Sequence, residues 1–198
     1  IVKLRKFDIL RIYFPVVLVA LVDQLSKIWI KTNITECTRI PCADEIPILW
    51  SFIKFTHVKN KGMAFGIDVG DLGWLVTVLS FAATIFIVYI HWQERFNHPL
   101  IVTGLALILG GAIGNLIDRS AIFWQGGNYE GVVDFVNIGV GAHRWYYFNV
   151  ADAAVTIGII LFIIHEILIR KANVDSVQHS EVGNFTLEFE QFSFSNQL

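Results

Sequence analysis

Four stretches of the chain, at about 12–30, 72–90, 99–117 and 150–169, stay apolar for close to the length of a membrane crossing. A hydrocarbon core about 30 Å thick requires roughly 20 residues of apolar helix. No water is present there to take up backbone donors and acceptors, so each crossing has to close its own hydrogen bonds, as a helix does. The expected fold class is therefore an all-α integral membrane protein with four transmembrane helices. Pro15 and Pro99 fall in the expected first turns, where a missing amide donor is tolerated. Composition agrees, because 16% of the 198 residues are charged and 55% are hydrophobic, whereas a soluble domain carries about 25% charged residues. One membrane domain, residues 1–171, is expected, followed by a polar cytoplasmic tail at 172–198. No basic tract addresses a nucleic acid.

Lysines and arginines in the flanks orient the spans. Lys3, Arg5, Lys6 and Arg11 precede the first, Arg95 lies between the second and third, and Arg170 and Lys171 follow the fourth. Both termini are accordingly expected in the cytoplasm, and the basic start is read as leading into a retained span rather than a cleaved signal. The loops at 31–71 and 118–149 then lie outside. Lys31, Arg39, Lys54, Lys59 and Lys61 run against this rule, but long loops weigh less than short flanks. Within the first loop, "LWSFIKFTHVKN" is rich in aromatic and β-branched residues in partial alternation, which predicts a small β-sheet on the outer membrane surface. Asn60 and Gly62 in "NKGMAFG" read as a turn. Cys37 and Cys42 are consistent with a disulfide and also with free thiols, and two such residues do not make a metal site.

Against this apolar background a few polar residues stand out. An ionised carboxylate inside hydrocarbon costs about 2.5–3.5 kcal/mol even on a mild scale, so intramembrane acids are functional candidates. Asp23 and Lys27 are four residues apart and can pair on one helix face, either as plain glue between helices or as the brace of a polar site. Gly110, Gly111 and Gly114 thin the third span for close helix approach, and Asn115, Asp118 and Arg119 follow on one polar face. The Gly-rich segment at 120–131 reads as a flap. Asp134 then sits in an apolar run, and Asn149 and Asp152 open the fourth span three residues apart, where either can serve the helix N-terminus.

In combination, "DQLSK" (23–27), "NKGMAFG" (60–66), "GNLIDR" (114–119), "VVDF" (132–135) and "FNVAD" (148–152) resemble the lipoprotein signal peptidases of bacterial membranes, from about Ile12 to Lys171. The 119–134 segment is longer than the family's usual one, and Tyr146 and Tyr147 stand where a proline is common. The resemblance implies a membrane-embedded aspartic endopeptidase that cuts a prolipoprotein before its diacylglyceryl-modified cysteine. It makes Asp134 and Asp152 the catalytic pair, and no metal, cofactor or covalent nucleophile is required. Asn60, Asn115, Arg119 and Asn149 would hold substrate and brace the pair. Asp118 would orient Arg119, and Asp23, Lys27 and Gly62 would support the structure. The expected partners are lipid-modified prolipoproteins and membrane lipids, the expected location is the bacterial cytoplasmic (inner) membrane with the site near its outer surface, and a monomer is expected. The rival from another class is a small transporter whose intramembrane carboxylates relay protons; another is a structural subunit in which polar residues only join helices.

Overall fold

The computed structural model describes residues 6–39, 42–61, 72–123 and 131–169. Gly62, the tail at 172–198 and most of the 120–131 segment lie outside the described residues. Four helices are long and apolar enough to cross a membrane: α1 (Lys6–Asn33), α2 (Gly73–Glu94), α3 (Pro99–Ser120) and α4 (Val150–Ile169). Pro99 occupies the first turn of α3, and the His98 ring accepts a hydrogen bond from the Leu100 amide at 3.3 Å to cap it. Pro15 does not start a helix. The helix begins at Lys6 and Pro15 lies inside it, an interruption that membrane helices accommodate because neighbouring helices re-satisfy the freed backbone group.

Helix α3 is the most deeply packed of the four, and its glycines are the reason. A Cβ on Gly110 would lie 2.8 Å from the Val16 carbonyl of α1, and one on Gly104 would lie 2.9 Å from the Gly158 carbonyl of α4. At Gly111 it would run into the Ala151 carbonyl, and at Gly114 it would come within 2.6 Å of an Asp23 carboxylate oxygen. Small residues thus bring three backbones together, which supplies the dispersion that membrane helices need in the absence of a hydrophobic driving force.

Four antiparallel strands form one sheet in the order β1 (Ile46–Leu49), β2 (Ile53–Asn60), β3 (Val132–Val140) and β4 (His143–Arg144). Ile53 pairs with Ile138 and Asn60 with Val132, with a register shift between Phe55 and Val58. Half of this sheet therefore comes from the second loop. Asn60 ends a strand instead of sitting in a turn, because its pairing partner, Val132, is remote in sequence. Ile30 and Ile34 at the end of α1 pack against Val133 and Phe135 of β3, with Phe55 and Val150 around them, and this small core seats the sheet on the bundle. Cys37 and Cys42 are joined as a disulfide, and the Cys37 amide donates to the His57 carbonyl of β2 at 2.7 Å. Gly114→Val is predicted to overpack the α1–α3 contact and cost about 1–3 kcal/mol. The check is thermal unfolding in detergent, in which an unchanged midpoint would contradict the packing described.

Candidate active site

The first turn of α4 explains how the site is built. The leading amides of a helix lack intrahelical partners, and here each of two finds a side chain. Asn149, at the N-cap, accepts from the Asp152 amide at 2.9 Å, and its own amide donates to Asp152 Oδ2 at 3.2 Å. This reciprocal arrangement is a capping box with aspartate in the third position. The Ala151 amide donates to Asp23 Oδ1 of α1 at 2.9 Å, so the same helix start is also capped from another helix. Capping fixes the direction in which Asp152 leaves α4.

Asp134 arrives from the sheet. Its Oδ2 accepts from Asn60 Nδ2 at 2.8 Å, and its Oδ1 accepts from Asn149 Nδ2 at 2.7 Å. Asp152 Oδ1 accepts from Asn115 Nδ2 of α3 at 2.7 Å. One asparagine, Asn149, therefore touches both carboxylates, and Asn60, Asn115 and Asn149 together supply side-chain donors to the two. Amide side chains suit this position because they hydrogen-bond an acid in either protonation state without adding charge.

Beneath the pair lies a buried ion cluster. Lys27 Nζ is 2.7 Å from Asp23 Oδ2 and 2.8 Å from Asp118 Oδ2, and it donates to Asn115 Oδ1 at 2.9 Å. Asp23 and Lys27 are essentially inaccessible. The pairing expected between Asp118 and Arg119 is replaced by pairing of Asp118 with Lys27. The carboxylate of Asp118 also lies 3.9 Å from Lys31 and accepts from the Val133 amide at 3.4 Å, which ties α3 to β3. Burial explains this choice of partner, because an amine taken out of water needs several anionic or carbonyl contacts at once. Arg119 Nε is buried with no hydrogen-bond partner among the described residues. Gln24, also within the "DQLSK" block, donates to the Gly114 carbonyl at 2.9 Å. The glycine was visible in the sequence, but nothing local marked the glutamine that meets it.

Burial pushes the Asp134 carboxyl up to about 7, and the neighbouring Asp152 adds to the rise; hydrogen bonds from Asn60 and Asn149 and the charge of Lys27 oppose it. Asp134 therefore exchanges its proton near neutrality. Infrared titration in lipid should show a protonated-carboxyl band that is present below about pH 7 and fades as pH rises through that value. The band should be missing in Asp134→Asn; a band lost already near the ordinary carboxylate range would contradict the assignment.

The family model described as "Signal peptidase (SPase) II" matches residues 15–168. A lipoprotein signal peptidase of Halalkalibacterium halodurans is 41% identical over 154 residues, covering 77% of this chain and 90% of that protein. One of Janthinobacterium sp. (strain Marseille) is 38% identical over 150 residues, 74% of this chain and 82% of the relative. Two solved chains, each described as a bacterial membrane enzyme determined by the in meso method, share the fold. The first has a TM-score of 0.61 at 26% identity, covering 78% of this chain and 85% of the other. The second has a TM-score of 0.59 at 28% identity, covering 77% and 89%.

Proposed function

The chain belongs to the signal peptidase II family, and from that premise we propose that it is an aspartic endopeptidase whose catalytic pair is Asp134 and Asp152. As a member of that family it is a membrane peptidase that removes signal peptides from prolipoproteins. The cut is proposed to fall before the diacylglyceryl-modified cysteine. The observation that carries the aspartic reading is Asn149, which donates its side chain to Asp134 while exchanging two hydrogen bonds with Asp152.

Two acids held this close do not both ionise cheaply, so the pair carries one proton. Asp134 is buried and keeps that proton; Asp152 is partly exposed and acts as the base. A water gives a proton to Asp152 as its oxygen attacks the scissile carbonyl and Asp134 protonates the carbonyl oxygen; the proton on Asp152 then passes to the amine as the C–N bond breaks, and one gem-diol hydroxyl returns its proton to Asp134. The pair titrates as a unit, so its two apparent pKa values bound a bell-shaped profile. Arg119, whose Nε lacks a partner among the described residues, and Asn60 are proposed to hold the substrate backbone. Asp23, Lys27 and Asp118 hold the frame.

The flanking charges support both termini on the cytoplasmic side, with the carboxylates near the outer surface. A substrate anchored by its acyl chains would then reach the site from the bilayer. The family assignment does not favour the transporter reading.

Asp134→Asn and Asp152→Asn are each expected to lower cleavage of a diacylglyceryl-modified lipobox peptide by at least about 10²-fold, with the folded, inserted state retained. Substantial turnover by either variant would sink the pair. In the wild type, kcat/KM should fall on the alkaline side near the Asp134 value of about 7, as the shared proton is lost, and on the acid side as the base is protonated. A profile flat across this range would point to other chemistry.

A further inference from the structure

The strands β2 and β3 have a site end and a far end. Asn60 and Val132 mark the first, and Ile53 and Ile138 mark the second; at about 3.3 Å per residue the far end lies roughly 20–25 Å away. There two turns are stitched side by side. The Gly139 amide donates to the Phe52 carbonyl at 2.9 Å, and Arg144 donates through Nη1 to the Ser51 carbonyl at 2.9 Å and through Nε to Asn137 Oδ1 at 2.6 Å. The backbone at this tip is well satisfied, yet its side chains are Leu49, Trp50, Phe52, Val140, Trp145 and Tyr146. All are exposed, Trp50 at 84%, Val140 at 72% and Trp145 at 66%.

Two observations indicate what covers this patch. Trp50 has φ 47, in the left-handed region that ordinarily takes glycine or asparagine. A bulky ring so placed and so exposed gains little from the fold itself. The second concerns position. Phe55 of β2 meets Trp29 of α1 edge-on, with ring centroids 6.4 Å apart, and Trp29 lies on the same exposed apolar flank of α1 as Leu18, Leu25 and Ile28. Trp29 is one helical turn short of Asn33, where α1 ends. Phe55 is two residues from the far end of β2, so that end of the sheet stands beside this flank of α1, about one turn from where the helix ends.

We propose that the two-turn aromatic tip is a membrane-interface anchor, with Trp50 and Trp145 seated among the lipid headgroups and upper acyl chains of the leaflet on the sheet's side. Tryptophan and tyrosine concentrate at that depth because each combines an apolar body with a polar handle. A contiguous exposed apolar patch of this kind marks an interaction surface. Seating the tip fixes the tilt of β2 and β3, and with it the height of Asn60 and Asp134 above the bilayer.

The test uses the full chain in vesicles of phosphatidylethanolamine and phosphatidylglycerol. Trp50→Cys and Trp145→Cys are made singly and labelled with a nitroxide, the native cysteines being joined to each other. Phe81→Cys in the middle of α2 serves as the lipid reference and Asn97→Cys between α2 and α3 as the aqueous one. Relaxation by oxygen and by a water-soluble nickel chelate reports depth. Both tip labels should show an oxygen-to-nickel accessibility ratio several-fold above that at position 97 and below that at position 81. A ratio equal to that at position 97 overturns the proposal. So does shielding from both reagents, which would mean that a second copy or another protein covers the tip. The two positions are read separately, so if one variant fails to fold the other still decides. The readout does not involve cleavage, and its failure would leave the assignment of the catalytic pair untouched.

Discussion

The Lys27 ammonium is the contact on which the rest of the structure depends. An amine buried this completely loses several kcal/mol of hydration, and Asp23, Asp118 and Asn115 compensate it at 2.7–2.9 Å. Each of these partners has a second task. Asp23 caps α4 through the Ala151 amide, Asp118 receives the Val133 amide of β3, and Asn115 donates to Asp152. A buried ion pair is weak evidence for stability, but it is a strong device for register. Here it fixes how α1, α3, α4 and the sheet meet, with the glycines of α3 allowing the approach.

This construction accounts for the placing of two acids where acids are costly. Asp152 comes from a helix start and Asp134 from a strand, so neither segment alone makes a pair. Asn149 lies between them in the final turn before α4 and restrains both. Asp134 is buried and Asp152 partly exposed, and burial, reinforced by the neighbouring Asp152 charge, raises the Asp134 carboxyl. Lys27 is close enough to Asp134 to moderate its rise, which makes the frame an electrostatic part of the site as well as a mechanical one.

Much of this was legible in the sequence wherever the signal was local. Hydropathy places the spans within a few residues, i,i+4 spacing joins Asp23 to Lys27, and the polar blocks point to two acids, Asp134 and Asp152, that the structure brings onto one asparagine. What escaped was long-range. Spacing on one helix pairs Asp118 with its neighbour Arg119, whereas the approach of Lys27 from α1 leaves no local trace. Asn60 carries a turn signal in the sequence because its strand partner, Val132, lies beyond two spans. The β-branched run from Val132 to Val140 carried a strand signal that its carboxylate and glycine obscured. The disulfide stayed open because two nearby cysteines fit either state. Pro15 falls in a first turn by hydropathy, which shows where the apolar run begins but not that the helix starts at Lys6.

The Lys27 cluster and the two carboxylates form one electrostatic unit joined through Asn115. Its most direct test is the infrared titration of Asp134 in folded Lys27→Met, read as the difference from the same protein with Asp134→Asn added. Loss of the lysine charge, which lowers the Asp134 value in the intact protein, should move the midpoint upward from about 7. An unchanged midpoint in the folded variant would contradict the claim and leave Lys27 a structural pair only.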